Sequence, residues 1–180
     1  MKGMPMDKLT IGDREVDAIF FFHPTGTNDY LSNWYPSPFE IDGVRFVSME
    51  QYIMYEKSIV FGDAKTASAI LATDKPAAHK KLGRRASGYV NAVWGGIRQL
   101  VALRGLLAKF GQNAELKEKL FATGDAWLVE SSRFDVVWAC GCGLNDSKRL
   151  DVAQWRGTNI LGFALMEARD VLRTLDAQHC

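Results

Sequence analysis

The chain has 180 residues, 47% of them hydrophobic, and a formal net charge of +1, which suits one folded domain with an ordinary core and excludes a disordered chain. With 22 basic and 21 acidic side chains, it has no bulk electrostatic grip on nucleic acid or on an acidic membrane; only a small local basic patch stays open. The longest strongly apolar runs, such as AIFFF, are far too short to span a bilayer, and the first residues lack the apolar stretch of a signal peptide, so a soluble, cytoplasmic protein with no membrane partner is expected.

Cys140, Cys142 and Cys180 are an odd set, too small for a disulfide framework. The closely spaced pair in ACGCG lacks the second pair or the nearby histidines of a structural zinc site, and His23, His79 and His179 show no ligand spacing. No metal is expected.

Taken in chain order, residues 1–17 read as a polar leader. DAIFFF reads as a buried strand ended by the loop HPTGTNDY, and the loop segment LSNWYPSP follows. FEIDGVRF predicts a hairpin turning at Asp42 and Gly43, a dipeptide suited to positive φ. Ser48 and Gln51 fit a capping box that opens a helix running to about Ile59. Asp63 and Asp74 are the expected caps of two further helices, AKTASAILAT and KPAAHKKLGRRA, the second with Pro76 in its first turn.

The longest helical pattern is YVNAVWGGIRQLVALRGLLAKF, where Val93, Trp94, Ile97, Leu100, Val101, Arg104 and Leu107 recur at three- and four-residue steps. Gly95 and Gly96 weaken it by roughly 1 kcal/mol each relative to alanine, and mark a place for close approach by another segment or a ligand. NAELKEKLFAT predicts a helix, AWLVESS a strand, and the irregular RFDVVWACGCGLNDSKR is the functional loop by composition. A last helix runs from about Asn159 to Leu175. The expected class is α+β, a helix-rich single domain with a small β-sheet over 18–176, preceded by the leader and followed by a tail at 177–180.

Glu50 and Lys57 are seven positions apart, so two turns of helix return them to within about 20° of each other. They flank an apolar patch about 10 Å long made by Ile53 and Met54. One reading is a pocket wall aiming an acid and an amine at a bound polar molecule. The other is a partly exposed helix whose Lys57 snorkels and whose Glu50 favours the positive end of the dipole. SNW, GRR with Arg84, Trp94, the FD of RFDVVW and the late GTNILG place polar or aromatic groups beside turn signals, where a ligand can meet backbone and side chains at once. Taken singly, Trp94 also fits a core position and Asp135 a turn.

The order of segments, IFFF, LSNW, FEIDGVRFVSMEQYIMYEK, GRR, VWGGIRQLVALRGLLAKFGQN, LVESSRFDVVWACGCG and GTNILGFALMEAR, resembles the NADAR superfamily of YbiA-like proteins. The resemblance runs from Ala18 to Leu172 and implies an N-glycosidase cleaving bonds between ribose and an amine. Some members act on ribosylaminopyrimidine phosphates of riboflavin biosynthesis; others remove ADP-ribose from guanine in nucleic acid, the reading placed first here. The expected partner is accordingly ADP-ribosylated nucleic acid or a small ribosyl phosphate; a toxin partner is not legible in the sequence. The resemblance puts the catalytic glutamate on Glu50, the lysine of the same helix on Lys57, the tryptophan on Trp94 and the acidic residue on Asp135. The chain departs from the common pattern with Gln51 in place of histidine, Ala139 after Trp138 in place of glycine, and Thr158 in place of a lysine.

On that reading, Glu50 stabilises the cationic anomeric carbon or activates water, and Asp135 assists proton transfer or fixes a ribose hydroxyl. Lys57 holds a phosphate or forms a Schiff base with the opened sugar. Trp94 offers an apolar face, and Ser32, Asn33, Arg84, Trp138 and Asn159 complete the expected substrate-binding set. The scheme needs no metal or organic cofactor. A non-catalytic module for ADP-ribose or a nucleotide is the competing class.

Overall fold

The computed structural model describes residues 6–22, 26 and 28–178. The strands are β1 (Asp7–Ile11), β2 (Arg14–Phe21), β3 (Phe39–Ile41), β4 (Val44–Phe46) and β5 (Trp127–Glu130). The α-helices are α1 (Met49–Val60), α2 (Ala64–Leu71), α3 (Pro76–Gly83), α4 (Asn91–Gln112), α5 (Ala114–Phe121) and α6 (Ile160–Gln178). This is the expected helix-rich α+β class. The chain divides into two compact units, one made of residues up to 32 together with those from 114 onward, the other of residues 33–113.

In the first unit β2 is the central strand, antiparallel to β1 and parallel to β5. The supposed polar leader is corrected here: residues 7–17 belong to the sheet, with Leu9 opposite Val16 and a turn at Gly12, φ 62°. Within residues 7–17 only Leu9, Ile11 and Val16 carry the apolar signal, and Lys8, Thr10, Glu15 and Asp17 point to the other face, as strand alternation requires. Leu9, Ala18, Val129, Cys140 and Cys142 form a buried cluster, ringed by Ile11, Val16, Phe20, Trp127, Val152 and Trp155. Both cysteines are free thiols that act as core hydrophobes. Among the described residues no group of three or more potential metal ligands occurs. His23, His179 and Cys180 lie outside the described residues, as does most of the stretch HPTGT.

In the second unit β3 and β4 form the predicted hairpin, with Asp42 at φ 51° and Gly43 at φ 76°. Phe39, Phe46 and Tyr52 pack ring against ring at 5.8, 5.9 and 5.1 Å. Asp63 caps α2 as expected, accepting from the Thr66 N–H at 3.0 Å and also from the Ser87 N–H at 2.8 Å. These bonds hold its carboxyl far below the usual range. Asp74 does not cap α3: the cap position is Lys75, with no side-chain bond, and Pro76 opens the helix where one backbone donor is unneeded.

The expected apolar stripe of α4 is also corrected. Its buried residues are Trp94, Ala102, Gly105, Leu106, Lys109 and Phe110, whereas Val93 is 47% and Leu100 66% exposed. Close packing on α1 selects a small residue, because a Cβ on Gly105 would sit 2.5 Å from the Tyr52 ring. At Gly95 and Gly96 an added Cβ would have nothing within 4 Å, so no described segment approaches them. Among the described residues no helix is long and apolar enough to cross a membrane.

Candidate active site

The start of α1 fixes where Glu50 stands. The Ser48 hydroxyl accepts from the Gln51 N–H at 3.3 Å, and the Gln51 side-chain oxygen accepts from the Val47 N–H at 2.8 Å. The Gln51 amide nitrogen donates to the Ile70 and Thr73 carbonyls at 3.2 and 3.1 Å. This residue, one of the departures from the family pattern, therefore ties α1 to the end of α2. Glu50 falls in the first turn, 6% exposed, where the helix dipole favours a negative charge. Its backbone N–H donates to the Asn33 carbonyl at 2.8 Å. Asn33 is 5% exposed, and its side-chain oxygen makes no hydrogen bond among the described residues. A buried polar atom of this kind is a ready contact for a polar ligand.

Lys57 lies two turns further along the same helix, half-buried, its ammonium 4.2 Å from the centre of the Tyr89 ring. Burial first, and then the Arg84 charge, hold its amine below the usual lysine range. Ile53 and Met54 between the two charges are buried. Gly83 lets the end of α3 reach α1, since a Cβ there would run into the Met54 side chain. That approach brings the next residue, Arg84, to Lys57. Trp94, in the first turn of α4, is 5% exposed. The second unit thus holds Glu50, Lys57, Asn33, Arg84 and Trp94.

Ser32, Asp135, Trp138 and Asn159 belong to the first unit. Asp135 forms the turn its sequence allowed: its Oδ1 accepts from the Val137 and Trp138 N–H groups at 3.0 and 2.8 Å. Oδ2 is not used by that turn. Ser32 is buried and Trp138 half-buried. Asn159 is 0% exposed with φ 49°. Its side-chain oxygen accepts from the Glu130 N–H and its nitrogen donates to the Leu128 carbonyl, both at 3.0 Å. These bonds brace β5 against the start of α6, so the Asn159 amide serves the fold rather than a substrate. The Thr158 hydroxyl donates to the Val137 carbonyl at 2.7 Å and likewise supports the loop.

Sequence reasoning missed Tyr89, whose ring covers the Lys57 ammonium. It also passed over Lys80 and Lys81, which line a recess together with Trp34 of SNW and Arg84 and Arg85 of GRR. The spacing of cations in KKLGRR was the available signal for the recess; nothing local marked Tyr89.

The family model described as the NADAR domain matches residues 20–173. An N-glycosidase of Acanthamoeba polyphaga mimivirus is 32% identical over 165 residues, covering 87% of this chain and 97% of that protein. N-glycosidase YbiA of Escherichia coli is 32% identical over 171 residues, covering 94% and 98%. The NMR structure of the Escherichia coli protein YbiA superposes with a TM-score of 0.75 at 29% identity, covering 91% of this chain and 89% of that one. The chain belongs to the NADAR domain family.

Proposed function

We propose that the chain is an N-glycosidase, a hydrolase of the bond between a ribose anomeric carbon and a nitrogen. The observation that carries this reading is the buried Glu50 carboxylate on the same helix face as Lys57, whose amine is held below its ordinary range. The names of the relatives, N-glycosidases of a virus and of Escherichia coli, support the same reaction class.

In the reaction the carbon–nitrogen bond breaks with its electron pair on nitrogen, water supplies hydroxide to the anomeric carbon, and the remaining proton goes to the departing amine. Glu50 stabilises the cationic carbon or takes the proton from the attacking water. To Asp135 we assign proton delivery to the leaving nitrogen or a hold on a ribose hydroxyl, through Oδ2. Trp94 supplies an apolar face, and Asn33, Arg84, Ser32 and Trp138 supply polar or aromatic contacts. Asn159 drops out of this set because its amide is bonded to β5.

Lys57 has two roles open to it. A lowered pKa enlarges the neutral, nucleophilic fraction and suits a Schiff base with a ring-opened sugar; its proximity to Arg84 suits a shared phosphate. Borohydride added during turnover separates them. A trapped adduct that disappears in Lys57→Ala assigns the nucleophile; turnover with no adduct assigns the phosphate contact.

ADP-ribose attached to guanine is the proposed substrate, and a ribosylaminopyrimidine phosphate is the alternative. Incubating the protein separately with each, with mass spectrometry of the released sugar, decides between them: release from ADP-ribosylated guanine DNA is expected, and release from the pyrimidine alone reverses the assignment.

A further inference from the structure

The end of α3 carries an unusual concentration of charge. Lys80 and Lys81 stand in its last turn, Arg84 caps it, and the Arg85 N–H continues the turn by donating to the Leu82 carbonyl at 2.8 Å. These four cations and Trp34 line an open recess of about 280 Å³. Four positive charges gathered here contrast with a net charge of +1 for the whole chain. The ion pairs found among the described residues are made by Lys8, Arg104, Lys117, Lys119, Arg149, Arg169 and Arg173 rather than by these four side chains. Lys81, Arg84 and Arg85 are exposed, whereas Trp34 and Lys80 are half-buried. The Lys80 ammonium stands 5.8 Å from the centre of the Trp34 indole.

A helix C-terminus favours nearby cations through its dipole, which accounts for lysines in the last turn. It does not account for a recess or for an indole beside them. A cationic recess with an aromatic wall is the combination that holds single-stranded nucleic acid: the charges follow the phosphates, and an unpaired base stacks on the ring. A lone phosphate needs one or two of these cations and no aromatic face.

We propose that Trp34, Lys80, Lys81 and Arg85 form a docking site, continuous with Arg84, for the single strand that flanks the nucleoside to be cleaved. The site deepens the N-glycosidase reading and rests on it for the identity of the strand, because it makes the substrate a polymer rather than a free nucleotide.

The test uses an unmodified, fluorescein-labelled DNA single strand of about 12 nucleotides, within the usual footprint of such sites. Having no scissile ADP-ribosyl bond, it reads docking apart from catalysis. Fluorescence anisotropy across a salt series is expected to give a slope of log affinity against log salt of about −2.8 for four phosphate contacts, falling to about −1.4 in Lys81→Gln/Arg85→Gln. Both replaced residues are exposed, so the variant retains its core. Trp34→Ala, with its fold checked by circular dichroism, is expected to weaken binding about tenfold without changing the slope. Unaltered affinity and slope in the double variant would overturn the proposal, as would equal affinity for a duplex of the same sequence or for AMP. A protein that cleaves its substrate without binding the strand loses the docking site alone; one that binds the strand and cleaves nothing loses the N-glycosidase reading.

Discussion

Glu50→Gln is expected to fold as the parent does and to lower turnover by roughly 10²- to 10⁴-fold, the range for losing a positioned acid–base group. The substitution keeps the side chain's shape. It also leaves untouched the backbone bond from residue 50 to the Asn33 carbonyl and the Ser48–Gln51 cap, so α1 retains its start. What it removes is the negative charge in a site that is 6% exposed, where little water can replace it beside a developing cation. Thermal unfolding and steady-state turnover, measured on the same preparation, separate a lost charge from a lost fold. Near-parental turnover in a folded variant would take Glu50 out of the mechanism.

The second large effect is expected far from chemistry. Lys109 on α4 is fully buried, its ammonium 5.0 Å from the centre of the Phe110 ring and 5.8 Å from that of Tyr35. Burial pushes its pKa down to about 7 from 10.5. Between these two values the unfolded chain binds a proton that the folded chain has released, so this group makes stability rise as pH climbs from about 7 towards 10.5. Below that window both states are protonated and the folded state carries the full desolvation penalty. Lys109→Met fills similar space without the titrating amine and is expected to abolish this rise of stability with pH. Denaturant unfolding at neutral and alkaline pH checks this. The parent should gain stability as pH rises from about 7 towards 10.5, the variant should lack that part of the gain, and an equal gain in both would take Lys109 out of the pH dependence.

Much of the architecture was legible because local signals and tertiary packing agree. The Asp42–Gly43 hairpin, the Ser48–Gln51 start of α1 and the Asp63 cap were all readable from turn and cap chemistry, and each is present. Where packing chose against the apolar pattern, reading the sequence failed. The stripe on α4 counted Val93 and Leu100, but the face against α1 passes through Gly105, a residue with no hydrophobic signal. β1 was hidden because a hairpin with only one face in the core shows few apolar residues. At the site, helical spacing alone placed Glu50 and Lys57 on one face, since both sit on a single uninterrupted helix. Tyr89 over Lys57 was out of reach because it joins residues distant in sequence. Asn159 was read as a ligand contact because a polar residue in a glycine turn gives the same signal whether it serves a substrate or, as here, the backbone of β5.

The most direct test is a mass balance under single-turnover conditions, with enzyme in excess over ADP-ribosylated guanine DNA and both products quantified by mass spectrometry. Free ADP-ribose and unmodified guanine strand appearing in equal amounts is the predicted result. Recovery of the substrate intact but bound would contradict it, leaving a module that recognises the nucleotide without cleaving it.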